Sequence, residues 1–259
     1  MVLDPQYRHM PLRTLSVYAQ RIGKVFASAT TWVRLVRERG WRRPRLRVHP
    51  AKPTVGIRAT RPNETWHIDV SIVRLLNGSK VYIHAVIDNF SRKIIAWTVA
   101  ARLDPTTTCE VLAQASQHLD PGDSRPTLMA DSGVENVNAA VDAALIATQI
   151  RRVLAQVEVT ESNSMIEAWW RSLKHQWLFL NCLDTIERVR TLVAFFVESH
   201  NTQMPHAAFA GQTPDEMHSG SAPNLVAELA DARTKARERR LATNRALSCG
   251  RCSQSAIPQ

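Results

Sequence analysis

Apolar residues recur along this chain with two different periods, and the periods divide it into elements. Residues 66–73, 81–88 and 92–100 are β-branched, alternating runs that predict three consecutive strands, joined by turns at Asn77-Gly78 and at Asn89 to Arg92. A short strand is expected at 126–130. Helices are expected over 105–118, opened by Asp104-Pro105, and over about 136–147. Steps of three and four dominate Ser162 to Lys174 and beyond, where Ile166, Trp169, Trp170, Leu173, Trp177 and Leu180 outline a buried helical face. A later helix, 185–201, turns Ile186, Val189, Leu192, Val193 and Phe196 inward. Ahead of the strands, Leu12 to Ile22 has helical spacing and Gly23 is a stop. Ser28 or Thr30 then caps a second helix through Trp32, Val33 and Val36.

Composition bounds this pattern without naming a function. A chain of 259 residues with 44% hydrophobic content and seven Trp holds one sizeable domain with appendages, or two small ones. No apolar run approaches the ~18 residues of a membrane span. The opening MVLDPQYRHM has no apolar signal core, so a soluble cytoplasmic protein with no membrane partner is expected.

Charge changes the picture. Residues 1–62 carry fourteen Lys and Arg against two acids, residues 63–230 twelve against nineteen, and residues 231–259 seven against two. Basic ends around an acidic middle suggest terminal grips on DNA, since neutralising phosphates supplies most non-specific affinity. A solvated basic surface explains the tail equally well, the first 62 residues less well. Helix, glycine turn and helix, with Arg34, Arg37 and Arg39 on the second member, resembles a helix-turn-helix whose later helix enters a major groove. Two helices bury no core alone, so they either pack on the following domain or follow something else. WRRPRLRVHPAKP, residues 41–53, reads as an extended linker, its Arg42 and Arg43 either tracking a phosphate backbone or decorating a spacer. The organisation is therefore a DNA-binding arm over 1–40, a basic Pro-rich linker over 41–62, a core over 63–220 and a basic tail over 221–259.

Candidate chemistry centres on the helix after Ser162. Glu167, Arg171 and Lys174 form an i, i+4, i+7 row beside its apolar face. The row is either a helix ion pair of ~0.2–0.5 kcal/mol or a lone acid flanked by phosphate-binding cations. Asp69 sits inside the strand WHIDVSIV with its carboxylate on one face, and Asp131 ends PTLMAD before a Ser132-Gly133 break. The 35 residues between Asp131 and Glu167 are weak support among 23 acids; the flanking words carry more. Asp88, in VIDNFSR just before a turn, suits an Asx role.

Those words resemble the catalytic core of the DDE transposases and retroviral-type integrases, in particular bacterial insertion-sequence transposases. They run in order from Trp66 to Met217: WHIDVSIV, VIDNFSRKIIAW, ADSGVEN, SNSMIEAWWRSLKHQW and HNTQMPHAAFAGQTPDEM. The resemblance implies an α/β, RNase H-like core, a mixed sheet flanked by helices, behind the helix-turn-helix-like arm. It implies that Asp69, Asp131 and Glu167 are catalytic and bind Mg²⁺, with Mn²⁺ able to substitute. The activity implied is 3′-end cleavage and strand transfer of a mobile element by in-line phosphoryl transfer, for which two metal ions about 3.5–4 Å apart are suited. Hard cations prefer carboxylate oxygens, which fits three acids without Cys or His. Lys174 and Arg171 are the expected phosphate contacts, and Asn201 and His206 are carried from a family word in which His200 replaces Tyr and Met204 replaces Arg. Ser132 stands where the family often has Asn. The partners implied are double-stranded DNA, further copies of the chain and possibly a second transposase chain, in a nucleoid-associated bacterial setting. A catalytically silent DNA binder of the same descent, or a nuclease that cuts without joining, are the alternatives. Cys249-Gly250-Arg251-Cys252 is half a zinc site or a pair of reduced thiols, and Cys109 and Cys182 read as core fillers.

Overall fold

The computed structural model describes residues 1–41, 58–119, 124–133, 136–154 and 164–252, with side chains as far as residue 247. Arg42, Arg43, most of the expected linker and the side chains of Cys249 and Cys252 lie outside the described residues. Five strands form one sheet in the order β3-β2-β1-β4-β5. β1 (Thr65–Arg74), β2 (Lys80–Asp88) and β3 (Ile94–Ala100) are the antiparallel meander expected from the alternation. β4 (Thr127–Ala130) lies parallel to β1, and β5 (Arg151–Leu154) parallel to β4. The result is the mixed sheet of an RNase H-like core. β5 was not expected: Arg151 and Arg152 interrupt the apolar signal, and four residues are too few to show a period.

Strand alternation sends side chains to two helical layers. On one face, Trp66, Ile68, Val86 and Leu128 pack against α3 (Pro105–Ser116) and α4 (Ala139–Thr148) through Val111, Leu112, Val141 and Leu145. On the other, Val73, Val81, Ile83, Ala85 and Ile87 meet α5 (Ser164–Gln176) and α6 (Ile186–Thr202). β2 is buried on both faces over most of its length, which is why it reads as a nearly continuous apolar run.

The apolar face of α5 is shorter than its spacing suggests. Ile166, Trp169, Trp170 and Leu173 are buried, but the helix ends at Gln176. Trp177 precedes a 3₁₀ turn over Leu178–Leu180 in which Leu178 is buried and Leu180 is 47% exposed. Trp177 instead donates its indole N–H to the Leu192 carbonyl.

The two N-terminal helices, α1 (Leu12–Arg21) and α2 (Ala29–Glu38), do not stand alone. Met10, Leu15, Ala19 and Trp32 belong to the same hydrophobic cluster as Trp169, Phe196 and the β2 side chains. His9 Nε2 lies 2.7 Å from Ser199 Oγ on α6. Arg21 makes a two-pronged ion pair with Glu216 of α7 (Pro214–Ser219) and donates to the Gly211 carbonyl at 2.6 Å. The 28-residue α8 (Leu225–Cys252) then returns along the arm. Arg233 Nε donates to Gln20 Oε1, and Leu229 reaches Gly211. Gly211 has φ +110°, and a Cβ there would meet Leu229 Cδ1 and Val17 Cγ1 at 3.2 Å. Glycine is thus required both for conformation and for space.

Candidate active site

The parallel pairing of β1 and β4 aligns Thr65 with Thr127, Trp66 with Leu128 and His67 with Met129. That register sets Asp131, just past the end of β4, toward the level of Asp69 on β1. β4 stops at Ala130, so Asp131 emerges just beyond the strand's carboxyl end. There its Oδ1 accepts hydrogen bonds from Asn136 Nδ2 at 2.6 Å and from the Gly133 N–H at 3.1 Å. The Ser-Gly break is therefore a small loop folded around the carboxylate. Asn136 is buried, and it was not singled out in the sequence although it closes the ADSGVEN word.

Asp69 is mostly buried on β1. Its Oδ1 accepts from the Val70 N–H and its Oδ2 from the Trp170 indole N–H, both at 2.8 Å. Trp170 was read only as a core residue of α5; its N–H also fixes that helix against β1. Glu167 lies one turn earlier on α5 and is exposed. Burial raises the Asp69 carboxyl to about 6; the Val70 and Trp170 hydrogen bonds oppose the rise, and the charges of Asp131 and Glu167 add to it. Asp69 therefore feels the charges of both other acids. Lys174, two turns beyond Glu167, has its ammonium depressed by burial and supported by the Asp69 charge. Arg171 is exposed on the same helix, and among the described residues no ion pair joins it to Glu167.

Among the described residues, no three His, Cys, Asp or Glu side chains are already close enough to hold a metal ion. The donor set itself, three carboxylates and no sulfur or imidazole, suits a hard divalent cation.

The remaining candidates are dispersed. Arg34 and Arg37 are exposed on α2, Arg34 at 4.0 Å from Glu38. Asn201 is buried, its Oδ1 accepts from the Ile94 N–H at 2.9 Å and its Nδ2 donates to the Ile94 carbonyl at 3.0 Å. The family word around it is a clamp on the first residue of β3. His206 Nδ1 caps the 3₁₀ turn Ala207–Phe209, accepting from the Ala208 N–H, and burial pushes its imidazole down to about 4. It carries no charge for a phosphate at neutral pH.

Asp88 is fully consumed by local structure. Its Oδ2 accepts from the Ser91 N–H and hydroxyl, its Oδ1 from the Asn63 N–H, and His218 lies at 3.8 Å. Burial alone would raise this carboxyl, but the hydrogen bonds from His218, Ser91 and Asn63 hold it below the usual range. Neighbouring Asn89 accepts from the Ala59 N–H at 2.7 Å. The pair thus ties Ala59, near the end of the expected linker, and Asn63, the first residue of the core, to the end of β2.

Residues 59–158 match the family model described as the integrase core domain. That stretch contains Asp69 and Asp131 and ends before Glu167. The chain is 27% identical over 159 residues to the putative transposase InsK for insertion sequence element IS150 of Escherichia coli (strain K12), covering 61% of this chain and 56% of that protein. It is 22% identical over 162 residues to the transposase for insertion sequence element IS904 of Lactococcus lactis subsp. lactis (strain IL1403), covering 61% of this chain and 62% of that one. The matches thus span less than two thirds of these relatives. In fold, it is similar to a chain of the simian T-cell lymphotropic virus intasome in complex with PP2A regulatory subunit B56 gamma (TM-score 0.54, 17% identity, 74% of this chain and 67% of that one). It is also similar to the HTLV-2 integrase catalytic core domain in complex with magnesium (TM-score 0.50, 17% identity, 62% of this chain and 99% of that one). Residues 59–158 are thus similar to the integrase core domain, the relatives by sequence include proteins named as insertion-sequence transposases, and the fold is that of retroviral integrase cores.

Proposed function

We propose that this chain is a DNA recombinase that cleaves the 3′ ends of a mobile element and joins them to a target by in-line phosphoryl transfer. The observation that carries this reading is the parallel register of β1 with β4, which sets Asp131, just past the end of β4, toward Asp69, with the Glu167 helix tied to Asp69 through Trp170. Asp69, Asp131 and Glu167 are the residues that would hold magnesium, and manganese would satisfy the same oxygen donors. When bound, the metal supplies Lewis-acid activation of the attacking and leaving oxygens.

The chain's own groups do the rest. Trp170 and Val70 orient Asp69, while Asn136 and Gly133 orient Asp131. Lys174 and Arg171 extend from the Glu167 helix and would hold the phosphates beside the reacting one. Arg34 and Arg37, exposed on a second helix of an arm packed on the core, would grip duplex DNA. Element ends and target are both double-stranded DNA, and bridging two ends calls for at least two copies of the chain.

The deciding experiment is Mg²⁺-dependent strand transfer of pre-cut element ends into plasmid, with Glu167→Gln and Asp131→Asn beside the wild type. Joined product that disappears in both variants while DNA binding persists supports the reading. Cleavage without joining points to a nuclease, and binding with neither step to a silent DNA binder.

A further inference from the structure

The flank of α5 turned away from the row of Glu167, Arg171 and Lys174 forms the wall of a groove of about 490 Å³. The facing walls come from the start of α1, the ends of β1 and β2, and residues 204–207. This volume is within the ~300–1,000 Å³ of small-ligand sites. Its lining has an unusual composition. Arg58 and Arg92 supply two guanidinium groups, and none of the described lining residues is Asp or Glu. Beside them stand the rings of His67, Trp169, His200 and His206 and uncharged polar side chains such as Ser172 and Gln176. Burial pushes the imidazoles of His200 and His206 down to about 4, so at neutral pH they present uncharged rings beside the two arginines.

Two details indicate a built site. Trp169 is buried, and among the described residues its indole N–H has no hydrogen-bond partner. An unsatisfied donor in such a place costs stability that a ligand acceptor would return. Arg92 adopts φ +63°, a left-handed conformation that is uncommon outside glycine. From there its guanidinium donates to the Asn89 carbonyl and reaches the Met165 sulfur at the head of α5. Arg58, opposite, is exposed.

We infer that this groove binds one unpaired nucleotide of the DNA end, with the base among Trp169, His200 and His206 and its phosphate between Arg58 and Arg92. Flat aromatic surfaces with flanking cations hold single-stranded bases without regard to sequence. Taking a base out of the stack costs least where it is already unpaired, and the difference is a source of selectivity. An acidic peptide would use the arginines but leave the ring-lined floor unfilled. The placement also suits the chemistry, since Glu167 and Ala168 are consecutive on α5 and face the acids and the groove respectively. A helix is ~10–12 Å across, a few nucleotide steps of ~3.4 Å. A base seated here would anchor a strand whose phosphate lies at the carboxylates. This inference rests on the reading of the chain as a DNA recombinase.

The test uses the full chain in EDTA, where no catalysis is needed. Binding of a fluorescein-labelled oligo(dT) of about ten nucleotides is compared with that of a blunt duplex for wild type, Arg58→Glu and Arg58→Lys. Arg58→Glu should weaken oligo(dT) binding at least about tenfold while changing duplex binding by less than about twofold, and Arg58→Lys should largely restore it. Photocrosslinking of the same oligonucleotide carrying 5-iododeoxyuridine should map to peptides containing Trp169 or His206. Equal weakening of both DNAs, no weakening, or crosslinks confined to other surfaces would overturn the inference. Because Glu167→Gln should crosslink normally, a chain that crosslinks in the groove but transfers no strand sinks the recombinase reading alone. A chain that transfers strands without groove crosslinks sinks this inference alone.

Discussion

Trp170 donates its indole N–H to Asp69 Oδ2 at 2.8 Å, and this one hydrogen bond links the helix of the third proposed acid to the strand of the first. Trp170→Phe keeps most of the buried ring and removes the donor. A hydrogen bond to a charged group is worth about 1.5–3 kcal/mol, so a loss of that order is expected in urea denaturation. Strand transfer should fall by more than the loss of folded protein accounts for, because Asp69 is then free to turn.

Acid should compete with metal at the same carboxylate. Burial, with the charges of Asp131 and Glu167, raises Asp69 to about 6, so it takes up a proton as the pH falls through that value. The Mg²⁺ concentration needed for half-maximal activity should therefore rise below about pH 6 and level off above it. Titrating Mg²⁺ at several pH values reads this directly. A requirement that is flat across that window would count against a metal role for Asp69.

Asn201 offers a test of structure against DNA contact. Asn201→Ala orphans the Ile94 N–H and carbonyl, each at a cost of about 1–3 kcal/mol, so the protein should melt markedly lower. DNA affinity of the fraction that remains folded should be unchanged. Anisotropy at a temperature below both transitions separates the two effects.

The arm should loosen in acid through Glu216. Burial alone would raise its carboxyl, but the hydrogen bonds and charge of Arg21, with Thr213, hold it below the usual range. A depressed carboxyl contributes stability above its unfolded value of ~4.3, and that contribution is lost as the pH falls through the lower folded value. Glu216→Gln should remove this acid dependence. A double-mutant cycle with Arg21→Ala should give a coupling of about 1 kcal/mol, since the pair is only partly buried.

On DNA, Arg37→Ala should weaken binding to all duplex sequences alike and reduce the slope of log K against log salt by about one, as expected for one lost phosphate contact. A change confined to one sequence would instead make Arg37 a base reader.

How far the sequence reveals all this depends on how each feature is encoded. β1 to β3 are legible because each is long enough to show its period and ends in a turn word such as Asn77-Gly78. β5 is four residues with two arginines, so nothing local marks it; pairing with β4 defines it. Asp69 and Asp131 stand out by their flanking words, whereas Trp170 and Asn136 do not. An indole on an apolar face and an amide in a loop look the same whether or not they hold a carboxylate. The clamp that Asn201 makes on Ile94 went unseen for the same reason, since a side chain facing a backbone more than a hundred residues away leaves no local trace.

Gly211 sits where α1, the loop before α7 and α8 meet, with room for no side chain. Segments from both ends of the chain are keyed into the middle at that point. A recombining gene could not exchange the N-terminal arm of such a protein as a cassette without remaking the joint. Under the proposed function, a change in the ends that are gripped would come from substitutions on α2 itself, so that choice of element and chemistry would be inherited together.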